Sequence, residues 1–598
     1  MSTNLPCQTV RTKRGTRLAP VILFALLCLS VLLKVGCCSA ATFTWNGSVS
    51  SDWFNKTNWT PVGVPVSTDT INFANGTTIN LTNAVAISGV FNWSGGTLSG
   101  KPFALASGGV LNISGNVTLE NVLTNAGTVT MTGAAYLSVY NNTNTYLGKI
   151  FNLTNGLWDI QTNTSIACGY CVGNEFFNNA GTLRRSLGSG NAAITIAFTN
   201  TVTGTVTNLA GTLSFNQGGP LTGTYVTAAG ATIDFASGSF VMGVPPVISG
   251  PGLCEFTGTT LTLLQTAPTN LVLAGGSLYL GPAFQSSGGI TNLTLNGSTL
   301  SSTNTVTGTL VWNSGTINGP LTVTNGGVLN INGNVTLENV LTNAGTVTMT
   351  GAAYLSVYNN TNTYLGKIYN LANGLWDIQT NTSIACGYCV GNEFFNNAGT
   401  LRKSQGSGTA SISVAFTNSA TVEALVGTLS FSGSFVTVGG NLDFGVSGVS
   451  SFGQINVSGS VALNGTVSAA WLNGFTPAVG NSFALLDYGS HSGTFANITL
   501  PPGTLGEGIY GLTAFSLMIT NINAQTSPPV FLNIKLVNTS TAVISWPSSA
   551  TNYSLQTSTN LSSLSWSNIT SGITTISTND VFSNNVNGKS GFFRLQSP

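Results

Sequence analysis

"NAGTVTM" runs from Asn125 to Met131: a polar residue, a glycine, then polar and apolar residues in alternation. That order predicts a turn leading into a short strand with one buried face. It returns as "NGLWDI" at Asn155, "NAGTLRR" at Asn179 and "LAGTLSF" at Leu209. The glycines, Gly127, Gly156, Gly181 and Gly211, stand 29, 25 and 30 residues apart. Gly or Asn ahead of each strand suits turns that need positive φ. Short strands with a glycine turn every ~20 to 30 residues describe a β-solenoid, in which each winding stacks on the last and Asn or Thr can ladder along the axis. The expected fold is therefore all-β, a right-handed parallel β-helix. A row of small β-sandwiches would suit the strand spacing equally but explains the glycine period less well. No stretch carries a helical period.

Outward from this motif lies a long duplication. Val110–Leu183 matches Val328–Leu401 at an offset of 218 residues (328 − 110), with three differences: Ser114/Asn332, Phe151/Tyr369 and Thr154/Ala372. The glycine series recurs at Gly345, Gly374, Gly399 and Gly427. Looser similarity extends further, as in "FNWSGGTLSG" from Phe91 against "LVWNSGTING" from Leu310. The expected organisation is a signal peptide (1–41), a solenoid cap with the first rungs (42–105), copy 1 (106–263), copy 2 (264–450) and a β-rich end segment (451–522). A linker, "NAQTSPPV" (523–530), and a small C-terminal β-sandwich (531–598) follow, with strands centred on Ile544, Leu555, Trp566, Ile576 and Phe593.

Arg11, Lys13, Arg14 and Arg17 precede the apolar run "LAPVILFALLCLSVLL" (Leu18–Leu33), and "CSA" (Cys38–Ala40) supplies small residues for cleavage near Ala40 or Ala41. This pattern predicts export. An uncleaved anchor is the alternative, and Lys34 weakens a lipoprotein site at Cys37. No later stretch is apolar for long enough to span a bilayer as a helix. In the exported chain, charged residues make up 5% of the whole sequence and the net charge is +1. Nucleic acid and anionic membranes, which need clustered Lys and Arg, are not expected partners.

"FTWNGSVSSDWFNKTNWTPVGVPVSTDTINF" (Phe43–Phe73), with its Trp-x-Gly and Asn-Trp elements, resembles the opening of exported bacterial proteins of the autotransporter-associated β-strand repeat type. Phe452–Pro501 is similar to a segment near the end of such proteins, and the last seventy or so residues resemble a fibronectin-III-like terminal module. The resemblance implies a β-helical exported protein and no particular activity. No room remains for a membrane β-barrel, and the chain ends "QSP" rather than on an aromatic residue.

Five cysteines follow the signal: Cys168, Cys171, Cys254, Cys386 and Cys389. In an extended strand Cys168 and Cys171 would be ~10 Å apart, beyond the ~7 Å limit for a bridge, so only a turn at Gly169-Tyr170 could join them. A local disulfide in each copy (Cys168 with Cys171, Cys386 with Cys389), packed thiols, and a redox or metal pair all remain open. One metal could not reach both pairs across about nine rungs, or ~40 Å. Asp159, Glu175 and Glu120, repeated as Asp377, Glu393 and Glu338, with Arg184 and Arg185 close by, are candidates for a paired-carboxylate site, against ordinary turn and surface charge. His491 in "YGSHSGTF" reads as a solvated turn residue. Trp45, Trp53, Trp59, Trp158 and Trp376 could stack on sugars or pack in the core. Sequons such as those at Asn46 and Asn152 are expected by chance in this composition.

No catalytic, cofactor or metal residue is assigned. The expected function is a secreted or cell-surface, adhesin-like display protein holding an Asn/Thr-rich surface toward extracellular glycans or other cell-surface polymers, with weak contacts adding by multivalency. A polysaccharide lyase or hydrolase on the same coil, or an array of carbohydrate-binding modules, are the alternatives.

Overall fold

In Thr128–Met131, Val129 and Met131 are fully buried while Thr128 and Thr130 stay half-exposed. Four-residue strands of this kind, turned at both ends, are the unit of the whole coil. The computed structural model describes residues 40–522, 530–561, 565–586 and 591–596. The signal peptide and most of the linker expected from the sequence lie outside them. Among the described residues the regular structure is almost wholly β, with parallel stacked strands forming a solenoid of about 19 turns, and the chain divides into two compact units, Met1–Gly399 and Thr400–Pro598.

In the first unit each turn contributes one strand to each of three columns. The first column stacks Thr70–Phe73, Val90–Trp93, Val110–Ile113, Thr128–Met131, Leu157–Ile160, Thr182–Arg185 and Thr205–Asn208, all parallel and in register. The second stacks Asn116–Leu119, Tyr136–Val139, Ser165–Cys168, Asn191–Ile194 and Thr212–Phe215. The third stacks Val122–Asn125, Lys149–Asn152, Phe176–Asn179 and Ala197–Asn200. Register fixes which residues meet inside: Phe91, Leu111, Val129, Trp158, Leu183 and Val206 form one continuous buried row. A slip of one residue would turn that whole row to solvent, which is why the pattern specifies the pairing so strongly.

Polar side chains also enter this core, at one corner. Asn125, Asn152, Asn179 and Asn200 close successive third-column strands, and each amide donates to the oxygen of the next at 2.6, 2.7 and 2.8 Å. Asn343, Asn370 and Asn397 repeat the ladder at 2.7 and 2.8 Å. The glycines that follow are explained by space. Gly127, Gly156 and Gly181 do not have positive φ. A Cβ on Gly127 would lie 2.3 Å from the Gly109 carbonyl oxygen, and one on Gly181 would lie 2.3 Å from that of Leu153. Close stacking of consecutive turns, not a left-handed backbone, thus excludes a side chain there. Gly211 does have φ +57, but it leads into the second column (Thr212–Phe215), while Thr205–Asn208 continues the first.

The duplication is out of phase with the winding. Tracing strand pairs back from Asn334–Leu337 leads through Thr316–Ile317, Thr299–Leu300, Ser277–Leu280, Thr260–Leu263 and Ser239–Met242 to Gly218–Pro220. Gly218–Pro220 lies against Ala197–Asn200, in the third column. The copy 1 twin of Asn334–Leu337, Asn116–Leu119, belongs to the second column. The 218-residue offset therefore corresponds to about ten turns plus one column. At ~4.8 Å per turn the copies are about 50 Å apart along the axis, rather than ~40 Å.

The outer edge of the first turn is closed. Thr42–Trp45 pairs antiparallel with Trp59–Thr60, and Trp45, Trp53 and Trp59 pack edge to face with centroids 4.9 and 4.8 Å apart.

Within the second unit the strands Thr400–Lys403, Thr421–Ala424, Asn441–Gly448 and Thr466–Trp471 stack in parallel. The stack ends at an antiparallel hairpin, Thr504–Tyr510 with Ala514–Ile522. The last residues form two small antiparallel sheets of four and three strands around Ile544, Trp546, Ala550 and Leu555. His491 is not in a solvated turn. It sits in the strand Ser482–Gly493, with its ring 5.0 Å from that of Tyr488 and 6.1 Å from that of Tyr510.

Candidate functional site

Two successive turns of each copy carry insertions at the same corner. In copy 1 they are Tyr140–Gly148, between Tyr136–Val139 and Lys149–Asn152, and Gly169–Glu175 in the next turn. The first is wound about Asn142, whose side-chain oxygen accepts from the backbone N–H groups of Asn144, Thr145 and Tyr146 at 3.1, 2.8 and 2.9 Å. The second is closed by a Cys168–Cys171 disulfide, with the Cα atoms 4.9 Å apart. Cys171 adopts φ +55. Glu175, fully buried, accepts from the N–H groups of Tyr170 and Cys171 at 3.1 and 3.2 Å. This short loop is thus held by the disulfide and by the buried carboxylate.

These two loops bring three tyrosines together. Tyr146 stacks on Tyr170 with centroids 5.5 Å apart, and Tyr140 meets Tyr146 and Tyr170 edge-on at 6.0 and 5.4 Å. Gly169 allows the approach, since a Cβ there would fall 2.3 Å from the Tyr140 ring. Tyr170 remains 45% exposed. Desolvation, then Tyr146, Tyr140 and the charge of Glu120, push its phenol above the ordinary value. Burial pushes Glu120 itself upward. Beside the loops a cavity of about 530 Å³ is lined by Asn80, Thr82, Lys101, Val122 and Leu147.

Copy 2 repeats the arrangement: Tyr358, Tyr364 and Tyr388 at 5.9, 5.4 and 5.7 Å, a Cys386–Cys389 disulfide, and Glu393 accepting from Tyr388 and Cys389. Where copy 1 has Lys101, copy 2 has Gly319.

The other candidates lie elsewhere. Trp45, Trp53, Trp59, Trp158 and Trp376 are all buried, so none offers a face to a sugar. Asp159 is on the first column and Glu175 at the corner before the third, so the two do not form a carboxylate pair. Asp159, 2% exposed, receives Nε and Nη2 of Arg184 at 3.0 and 2.8 Å. Arg185 is buried and donates to the carbonyls of Thr212, Gly188 and Gly190. Both arginines are structural. Cys254 is free and buried. Among the described residues no group of three or more His, Cys, Asp or Glu side chains could hold a metal, and no helix is long and apolar enough to cross a membrane.

The Asp159–Arg184 pair makes a prediction about pH. Burial pulls the Asp159 carboxyl up, but hydrogen bonds from Arg184 and Gln161 and the guanidinium charge outweigh it, leaving it below the ordinary value. Its contribution is complete above about pH 4, where an unfolded aspartate is ionised, and is lost as pH falls through the lower native value. Because Arg184 is about a third exposed, acidification from pH 5 to 2 should cost about 1 kcal/mol at this pair. Asp159→Asn should remove that part of the pH dependence, as read by denaturant unfolding across the range.

The tyrosines were not singled out from sequence, because the alternation of a strand says nothing about loops. The usable signal was length: turns of 29 and 25 residues must carry extra chain, and that chain holds Tyr140, Tyr146 and Tyr170. No protein-family model matches the chain, and no curated protein is detectably similar to it.

Proposed function

We propose that this chain is an extracellular or cell-surface display protein that holds glycans at its two tyrosine platforms. The observation that supports this is the half-exposed, three-ring tyrosine cluster, built twice on loops fixed by a disulfide and a buried carboxylate. Aromatic faces stack on the C–H faces of sugars while phenol hydroxyls and the half-buried carboxylates of Glu120 and Glu338 meet sugar hydroxyls, and rings locked in place lose little entropy on binding. Each site alone would be weak. The coil contributes stiffness and position.

A glycan array probed with the exported chain is expected to give neutral oligosaccharide hits. Tyr170→Ala should weaken binding at copy 1 about tenfold, the order of one aromatic contact. Binding unchanged in the Tyr170→Ala, Tyr388→Ala double variant would overturn the reading.

A second reading, glycan cleavage, draws on one arrangement in the second unit. Arg402, Glu423 and Asp443 are in register on adjacent turns, and strand spacing puts two acids at about the ~5 Å separation used by retaining glycosidases. Release of reducing ends from any array hit, lost in Glu423→Gln, would favour this reading over display alone.

A further inference from the structure

The two platforms do not share a side of the coil. The copy 1 loops follow Tyr136–Val139 and Ser165–Cys168, at the corner between the second and third columns. Their twins follow Tyr354–Val357 and Ser383–Cys386, which stack on Asn334–Leu337 and so on the third column. They therefore project from the next corner, about a third of a revolution round and about 50 Å along the axis. Both platforms lie within the first unit, and its pairing is parallel over the intervening turns, with register shifts where Ile290–Leu300 pairs with Asn304–Ile317.

From this geometry we infer that one chain bridges two separate strands of a neutral polysaccharide rather than lying along one. The inference rests on the glycan-platform reading and adds the class of ligand and the mode of engagement. Neutrality follows from the flanking groups. Half-buried Glu120 borders the first cluster and half-buried Glu338 the second. Each accepts from sugar hydroxyls and repels an anionic chain, whereas Glu175 and Glu393 are buried and taken up by N–H groups of their own loops.

Bridging follows from effective concentration. A second contact adds avidity only when the tether can reach both sites, and its contribution is near zero when it cannot. A stiff glycan seated at one corner would have to turn about a third of the way round the coil to reach the other. Its free ends are better placed to meet other proteins, and the second platform to meet another glycan.

The test uses the intact exported chain with cellohexaose, too short to reach both platforms, and with long soluble hydroxyethyl cellulose. Calorimetry with the hexasaccharide is expected to give two like sites in the wild type and, in each of Tyr170→Ala and Tyr388→Ala, one such site with the other about tenfold weaker. Both side chains are exposed, and unchanged circular dichroism would show the variants folded. With the long polymer, wild type should raise viscosity or form a network. Each single variant should bind with an affinity per site within about threefold of wild type and form no network. Long-polymer binding a hundredfold tighter in wild type than in the single variants, without a network, would overturn bridging and leave the platform reading intact. Failure of cellohexaose to bind any form, together with an array lacking neutral hits, would overturn the platform reading itself.

Discussion

Asn152→Leu is expected to destabilise the first unit by about 4 kcal/mol, as two or three buried polar groups lose their partners at ~1–3 kcal/mol each. Asn152 is 1% exposed. Its amide donates to Asn179 Oδ1 at 2.7 Å and to the carbonyls of Gly156 and Thr182 at 3.2 and 3.1 Å, and its oxygen accepts from Asn125. Leucine has similar volume and none of this chemistry, so the loss reports hydrogen bonding rather than a cavity. The comparison is Asn92→Leu in the half-exposed ladder Asn72–Asn92–Asn112, with bonds of 2.9 and 2.8 Å. Water can replace those partners, and the cost should stay below about 1 kcal/mol. Because coils of repeats need not unfold in one step, denaturant midpoints should be read with amide exchange at Leu153 and Ala180, whose N–H groups bond to Asn125 and Asn152 carbonyls. Equal losses at both positions would show that burial of the ladder is not what ties the corner together.

Gly181→Ala should cost still more, above about 4 kcal/mol, the range reserved for direct backbone conflict. The added carbon would sit 2.3 Å from the Leu153 oxygen and 2.4 Å from the Gly156 oxygen. Both belong to the preceding turn, and the N–H of Thr182 bonds to that same Gly156 oxygen at 2.8 Å. Relief therefore requires parting two turns. Gly173→Ala is the informative control: it has φ +84 but meets nothing within 4 Å, so only the ~1–2 kcal/mol of a left-handed backbone applies. Thermal and denaturant unfolding of the two variants should separate crowding from conformation. A Gly181→Ala protein as stable as Gly173→Ala would mean that the turns can spread.

Both variants touch features that the sequence made partly visible. Alternation in "TVTM" or "TLRR" marks a strand with one wet face, and the return of "NAG" marks a corner, so the solenoid could be read directly. The column to which each strand belongs could not. Gly211 follows the same local spelling as Gly181, yet turns of unequal length place it at a different corner. The phase of the duplication was hidden for the same reason, since residue count equals rotation only when every turn has the same length. Tryptophan drew attention as an aromatic that might face a ligand, but Trp93 of "FNW" and Trp158 of "LWDI" stand at the inward positions of their strands. The exposed rings came from "YNNTNTY" and "CGYC", where hydrogen bonds to Asn142 and Glu175 set the geometry and no periodicity applies.

The closed first edge, where Trp59–Thr60 runs against Thr42–Trp45, has a consequence for how such a molecule can change its size. A strand laid in the opposite sense gives the next parallel winding nothing to follow, and the hairpin at Thr504–Ile522 does the same in the second unit. These strands work against end-to-end joining of chains through the edges they cover, whereas whole blocks of sequence can be spliced into the interior. The number of residues in such a block then decides the compass bearing of everything beyond it.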